Sequence, residues 1–345
     1  METSAIALPA MAREAAQAAR CARRQIERCA AGFAALGERL RQRPPRVVVT
    51  CARGSSDHAA TYGKYLIETE LGRPVASVGP SIASVYRRHP LELADSLFVT
   101  VSQSGRSPDL LELTAAARSR GALVVGFIND ERAPLFELCD VALPLYAGVE
   151  TSVAATKSFL LSGLAFLQLA AHWSGDPALA AAVTALPDAL AAASQLDWWP
   201  ALAPLARATS LFVLGRGLGL GAASEVALKF KETCRLHAEA FSVAEVSHGP
   251  LALIDRGFPV IALGQYDDSV TTTRSAVARL VELGASVAST LDVTGATALP
   301  VPPTSPVIAP LCQVQSFYMA VHRLAVARGL DPDVPPHLRK VTETV

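Results

Sequence analysis

The feature that most constrains this chain is that its second half repeats the landmarks of its first at nearly one spacing. Arg46-Val-Val-Val-Thr50 is a β-branched run too short for a helix. It reads as a buried strand entering the turn Arg53-Gly54-Ser55-Ser56-Asp57, with a helix following through Leu66. Downstream, Leu211–Leu214 runs into Gly215-Arg216-Gly217, whose Arg-Gly pair lies 163 residues beyond Arg53-Gly54. A second strand, Leu97–Val101, leads into Ser102-Gln103, and Pro259–Leu263 leads into Gly264-Gln265, 162 residues on. Gly121-Ala122 precedes a third strand, Leu123–Ile128, and returns as Gly284-Ala285 at an offset of 163. Ala142-Leu-Pro-Leu145, in a fourth strand from Val141, returns as Ala298-Leu-Pro-Val301 at the shorter offset of 156.

Strands alternating with helices build a parallel sheet covered on both faces. The expected fold class is therefore α/β: a tandem duplication of one parallel-sheet unit, each copy a flavodoxin-like three-layer sandwich. The expected organisation is an N-terminal helical segment at 1–44 and a first unit at 45–175. An alanine-rich helical connector at 176–205, a second unit at 206–330 and a C-terminal tail at 331–345 complete it. One helix is expected from Met11 to Leu40, stopped by Pro44-Pro45. Its arginines (Arg20, Arg23, Arg24, Arg28) read as a solvated face.

With 51% hydrophobic and 18% charged residues, the 345-residue chain has ample material for a large core. Thirty-one basic against 31 acidic residues leave no basic excess, which argues against a nucleic-acid binder. Six scattered cysteines without a C-x-x-C pair, and seven histidines without an H-x-x-x-H pair, give no support for a metal site, and no cofactor is expected. The most apolar run, Phe159–Trp173, is interrupted by Ser162, Gln168 and His172 and falls short of the roughly 20 residues that span a bilayer. The start, Met-Glu-Thr-Ser, is no secretory signal. The expectation is a cytoplasmic protein without a membrane partner, its cysteines reduced.

In an open parallel sheet a ligand lies beyond the carboxyl ends of the strands. In the first unit those loops carry Ser55, Ser56, Ser102, Gln103, Ser104 and Ser107. Hydroxyls, an amide and backbone N–H groups at a helix start can cradle a phosphate without a lysine. Either loop alone could equally be a pair of helix caps; two on neighbouring strands favour a ligand. Leu218 and Gly219 stand opposite Ser55 and Ser56, so one phosphate site per chain is expected. The stretch from Gly215 to Ala222 matches G-x-G-x-x-A, but no second strand ending in an acidic residue follows, and a nucleotide site is set aside. Glu225, Lys229 and Glu232 share one helix face, and sixteen residues past Glu232 comes His248-Gly249-Pro250. On spacing alone the plainer reading is a surface Glu225–Lys229 ion pair and a loop histidine.

Those residues also carry a resemblance. Ala227-Leu-Lys-Phe-Lys-Glu232, His237-Ala-Glu-Ala-Phe241 and His248-Gly-Pro-Leu-Ala-Leu-Ile-Asp255 resemble the second sugar isomerase (SIS) domain of glucosamine-6-phosphate synthase. Ser102-Gln-Ser-Gly105 and Val153-Ala-Ala-Thr-Lys157 resemble loops of its first, and Pro336-His-Leu-Arg-Lys340 resembles that family's active-site tail. The resemblance implies that Ser56, Ser102, Gln103, Ser104 and Ser107, with Ser55 beside them, hold a sugar phosphate. It implies that Glu232 moves a proton between C1 and C2, that His248 opens the ring from the neighbouring subunit of a homodimer, and that Lys340 forms a Schiff base. Val153, Ala155, Lys229 and Glu225 would support the substrate. The chain departs from the synthase pattern at Ala155, where the family has serine, and at Arg106 and Pro108. Met1 is followed by Glu2 rather than by a nucleophilic cysteine, so no glutaminase half is expected. The Ser102–Asp109 loop resembles standalone SIS deaminases, and the expected reaction is glucosamine 6-phosphate to fructose 6-phosphate and ammonia. The alternatives are a deglycase of fructosamine-type 6-phosphates and a non-catalytic phosphosugar sensor.

Overall fold

The structure, a computed structural model, describes residues 8–87 and 92–340. The chain opens with α1 (Ala10–Ala15) and α2 (Ala18–Gln42). Where one helix was expected, the Gln17 N–H bonds back to the Glu14 carbonyl, and this tightened turn separates the two. The first sheet then forms from β1 (Val47–Cys51), α3 (Ser55–Leu71), β2 (Val75–Ser77), α4 (Ser81–Ser84), β3 (Ser96–Ser102), α5 (Pro108–Ser119), β4 (Leu123–Ile128), α6 (Pro134–Leu138) and β5 (Val141–Pro144). Three helices follow: α7 (Lys157–Ser174), α8 (Pro177–Ala193) and α9 (Trp199–Leu202). The second sheet is built from β6 (Ser210–Gly215), α10 (Gly219–Cys234), β7 (His237–Ser242), β8 (Pro259–Leu263), α11 (Val270–Glu282), β9 (Ser286–Ser289) and β10 (Thr297–Ala298), and α12 (Ala309–Ala327) closes the chain's helices.

Both sheets are wholly parallel, ordered β2-β1-β3-β4-β5 and β10-β9-β8-β6-β7. Counted within its own half, each has the order 2-1-3-4-5 of the flavodoxin-like doubly wound fold. The duplication read from four landmarks is therefore a duplication of topology. The sequence reading missed the second strand of each copy. β2 is only three residues and buries one of them, and β7 is alanine-spaced, with none of the β-branched side chains that mark a strand. β10 is shorter than expected, two residues rather than Ala298–Val301.

The apolar run at 159–173 lies in α7, which is buried on nearly every face against α2, α3 and α8. A helix hydrophobic all round belongs inside a core, and none of the described helices is long and apolar enough to cross a membrane. The two halves meet where α10 lies on α3. Gly221 permits this: a Cβ there would stand 2.5 Å from the His58 carbonyl oxygen. This close approach brings the side chains of α10 to the carboxyl edge of the first sheet.

Candidate active site

A cavity of about 330 Å³ opens at the carboxyl ends of β1 and β3, where the strand order of the first sheet reverses. Its walls include Ser55, Ser56, Ser102, Gln103, Ser104, Ser107, Val153 and Ala155 from the first half, Glu232 from α10, and Lys340 from the tail. Residues drawn from stretches more than 280 positions apart thus share one hollow. His248 does not line it. That side chain is exposed on a short helical turn of the second half.

No serine of the set caps α3 or α5 through its side chain. The residue capping α3 is Gly54, whose φ of +53° suits glycine, and α5 begins after Ser107, which makes no side-chain capping bond. The starts of two helices of 17 and 12 residues therefore line the hollow together with side-chain hydroxyls. The hydroxyls are not equivalent. Ser102 Oγ accepts from the Gly105 N–H at 2.9 Å and shapes its own loop, while Ser104 Oγ takes the Arg106 N–H at 3.4 Å. Ser55 is drawn away from the serine set: its hydroxyl donates to Glu225 at 3.2 Å and accepts from Lys229 at 2.9 Å. Among the serine and glutamine side chains of the wall, those of Ser56, Gln103 and Ser107 make no hydrogen bond to another described residue.

Glu225 and Lys229 are not a surface pair. Both are fully buried, with Lys229 Nζ 3.2 Å from Glu225 and 2.6 Å from Glu232. Burial alone would push the lysine's pKa down, but the two carboxylates outweigh it and hold it at about 12. Burial likewise opposes the charge on Glu225, and Lys229 with His58 and Tyr318 overcomes it, holding the carboxyl below its ordinary range. His58 Nδ1 lies 3.0 Å from Glu225 Oε2, and Tyr318 donates to Oε1 at 2.7 Å. The network ends at Glu232, whose side chain is 19% exposed and faces the cavity. One end of this ionic chain is dry and fixed, and the other is open to a substrate.

At the opposite wall Lys340 Nζ lies 3.2 Å from Glu150, a carboxylate with no exposure. Glu150 also accepts from the Ser158 hydroxyl at 2.7 Å and from the Thr156 N–H at 2.9 Å. Burial works against its charge; Lys340 and these donors prevail and hold it below the usual carboxylate range. The tail that brings Lys340 here is tied down at Asp333, which accepts the Ala10 and Met11 N–H groups at 2.6 and 2.7 Å. The Asp333 carbonyl in turn accepts the Val153 N–H at 3.4 Å. Glu14 of α1 holds Thr151 through its N–H at 2.5 Å and its hydroxyl at 2.7 Å. The short first helix is thus a clasp between the tail and the loop under it.

Several groups of the site were not singled out from sequence. Arg53 served only as a repeat landmark, although a cation at a serine-rich turn was visible. Glu150 stands three residues before Val153 and gave no separate signal. His58 and Tyr318 reach Glu225 across 167 and 93 residues, which no local pattern reports. Among the described residues no cluster of histidine, cysteine or acidic groups is arranged to hold a metal.

The arrangement of these two sheets has counterparts. The SIS domain model matches residues 42–172 and 204–299. This chain belongs to the SIS domain family. Its two SIS segments account for the two five-stranded parallel sheets and their flanking helices. Among curated proteins, a glutamine--fructose-6-phosphate aminotransferase of Symbiobacterium thermophilum is 36% identical over 315 residues, 86% of this chain and 51% of that protein. The chain spans about half the length of the curated relatives it matches. A crystal structure from Silicibacter pomeroyi, of a protein provisionally described as a phosphosugar isomerase, is 43% identical with a TM-score of 0.90, covering 94% of this chain and all of that one. The C-terminal domain of glucosamine-fructose-6-phosphate aminotransferase from Francisella tularensis shares the fold at 24% identity and a TM-score of 0.84, covering 97% of this SIS chain and 100% of that domain.

Proposed function

We propose that the chain is a phosphosugar aldose–ketose isomerase that also releases an amino group, converting glucosamine 6-phosphate and water to fructose 6-phosphate and ammonia. The observation that carries this reading is that Glu232 and Lys340 face one hollow whose floor is made of two serine-rich helix starts. The helix starts and the free side chains of Ser56, Gln103 and Ser107 suit a phosphate. Moving a proton between C1 and C2 of an open-chain sugar needs a carboxylate within reach, and Glu232 is the half-free end of a buried charge network. Isomerisation turns the 2-amino aldose into a C2 imine. The Lys340 amine then adds to C2, ammonia leaves, and water hydrolyses the lysine Schiff base to the ketose. Glu150 holds Lys340 in place, and Lys229 orients Glu232. Val153 and Ala155 border the sugar.

His248 enters this reading from a second copy. It is exposed and lies outside its own chain's cavity, so a homodimer in which it completes the partner's site is part of the proposal.

The test is ammonia release from glucosamine 6-phosphate by the wild type, by Lys340→Ala and by Glu232→Gln. We expect release by the wild type and a fall in kcat of about 10²- to 10⁴-fold for Glu232→Gln, the range for a lost general base. A protein that released no ammonia, or a Lys340→Ala variant as active as the wild type, would sink the assignment. Release of a free amine from a fructosamine 6-phosphate instead would move it to a deglycase. Mixing Glu232→Gln with His248→Ala tests the shared site, since only a mixed dimer would contain one intact set.

A further inference from the structure

Two cations that line the cavity, Arg53 and Arg339, have no part in that scheme, and Arg53 is the one held by a buried carboxylate. Arg53 stands two residues past the end of β1 and lines the hollow beside Ser55, Ser56 and Ser107. Its Nε and Nη2 donate to the same oxygen of Asp109, at 3.0 and 2.6 Å. Asp109 sits in the first turn of α5 with a side chain of no exposure, and its other oxygen takes the Leu110 N–H at 2.8 Å. The arginine itself is 48% exposed, and its Nη1 makes no hydrogen bond to another described residue. A buried carboxylate therefore grips one edge of the guanidinium and leaves the remainder available at the mouth of the serine set. The pair also ties the β1 turn to the start of α5, the two loops that the proposed phosphate would bridge.

We propose that Arg53 is a specificity-determining residue that reads the doubly charged phosphate of the substrate, with Asp109 as the residue that aims it. The proposal rests on the phosphosugar reading above and adds to it. The Ser56 and Ser107 hydroxyls and the Gln103 amide can donate to a dianion or accept from the P–OH of a monoanion, whereas an oriented guanidinium only donates and favours the second charge. A lysine could not replace it, since an ammonium cannot hold Asp109 with one edge and offer another.

The test is calorimetric titration of the full chain with fructose 6-phosphate at pH 5.5 and 7.5, on either side of the phosphate's second ionisation at about 6. Arg53→Gln alone would take the guanidinium from the buried Asp109, so the deciding variant is Arg53→Gln/Asp109→Asn, in which two amides replace the ion pair. Wild-type affinity should rise across that interval. The double variant should unfold near the wild-type temperature, bind about 10- to 100-fold more weakly at pH 7.5, the range of a hydrogen bond to a charged group, and lose the pH dependence. In turnover its KM should rise with kcat little changed. Arg53→Lys should fall between the two. A folded double variant with wild-type affinity and wild-type pH dependence overturns the proposal. If the wild type itself ignores fructose 6-phosphate, the phosphosugar reading has failed separately, and titration with inorganic phosphate decides. Binding that the double variant loses upholds Arg53 as an anion reader, and binding that it keeps, or none by either protein, overturns it.

Discussion

The two halves of this chain have one topology and opposite uses for it. In the first, the loops after β1 and β3 are open: Ser56, Gln103 and Ser107 face a cavity, and neither Gly54 nor Ser107, which precede α3 and α5, makes a side-chain capping bond. In the second, the equivalent ground is filled. Gln265, at the position matching Gln103, is 1% exposed and packs so tightly on the start of α10 that a Cβ on Gly219 would lie 2.4 Å from its Nε2. Its amide donates to the Leu263 carbonyl at 3.2 Å, and its Oε1 has no partner among the described residues. What the second half brings to the site comes from further along α10, whose Glu225, Lys229 and Glu232 point back across α3. A duplicated fold thus yields one site rather than two, because one copy keeps its strand ends open and the other spends its helix on the first copy's cavity.

The largest break in this division of labour should come from Lys229. Lys229→Met removes the ammonium between Glu225 and Glu232, leaving the fully buried Glu225 without the lysine 3.2 Å from it. Breaking a buried pair from one side costs about 3–5 kcal/mol, to be read from the midpoint of urea unfolding. A loss under about 1 kcal/mol would mean that His58, Tyr318 and Ser55 suffice to hold Glu225, and that the halves are less tightly joined than the distances imply.

A sharper contrast comes from the matched glutamines. Gln103→Ala should raise KM about 10- to 100-fold, the worth of one hydrogen bond to a charged phosphate of about 1.5–3 kcal/mol, and leave the melting temperature near that of the wild type. Gln265→Leu should do the reverse, leaving KM unchanged while the melting temperature shifts, because it removes both an orphaned oxygen and a set of amide contacts. Equal effects of the two on KM would show that the second copy's strand ends still reach the substrate.

Much of this was legible in the chain itself, for physical reasons that also mark where legibility ends. Valine runs such as Val47–Val49 bounded by glycine announce central parallel strands, and the spacing of such landmarks exposed the duplication. β2 and β7 stayed hidden because edge strands with few buried side chains need no β-branched run. The serine loops were readable because helix starts are local. Glu225 and Lys229 looked like a solvated i,i+4 pair, and only the close approach of α10 to α3 at Gly221 turns that face inward. Glu150 acquires its meaning from a lysine 190 residues away, through a tail whose course depends on Asp333 meeting the first helix.

The smallest effect tests the two buried carboxylates against each other, one from each half. Glu150 and Glu225 are both held below the ordinary carboxylate range, against their burial. A carboxyl whose folded pKa is depressed adds stability above its unfolded value, roughly 4.3, and that contribution is lost as pH falls through the folded value. Wild-type stability should therefore rise with pH across the acid limb, by at most about 1.4 kcal/mol per pH unit for each such group. In Lys340→Ala the largest favourable influence on Glu150 disappears, while its burial and its bonds to Ser158 and Thr156 remain. Burial should then prevail and lift the folded pKa of Glu150 above its unfolded value. A group so raised binds its proton more tightly when folded, and its contribution falls rather than rises as pH increases past about 4.3. The acid limb of Lys340→Ala, followed by urea midpoints between pH 3.5 and 6.5, should accordingly be flatter than that of the wild type. In Lys340→Ala/Glu150→Gln the Glu150 contribution should vanish altogether, while that of Glu225, which keeps Lys229, His58 and Tyr318, persists in both variants. An acid limb in Lys340→Ala as steep as in the wild type would mean that the hydroxyl and amide donors alone keep Glu150 charged, and that the tail lysine is held by the pocket rather than holding it.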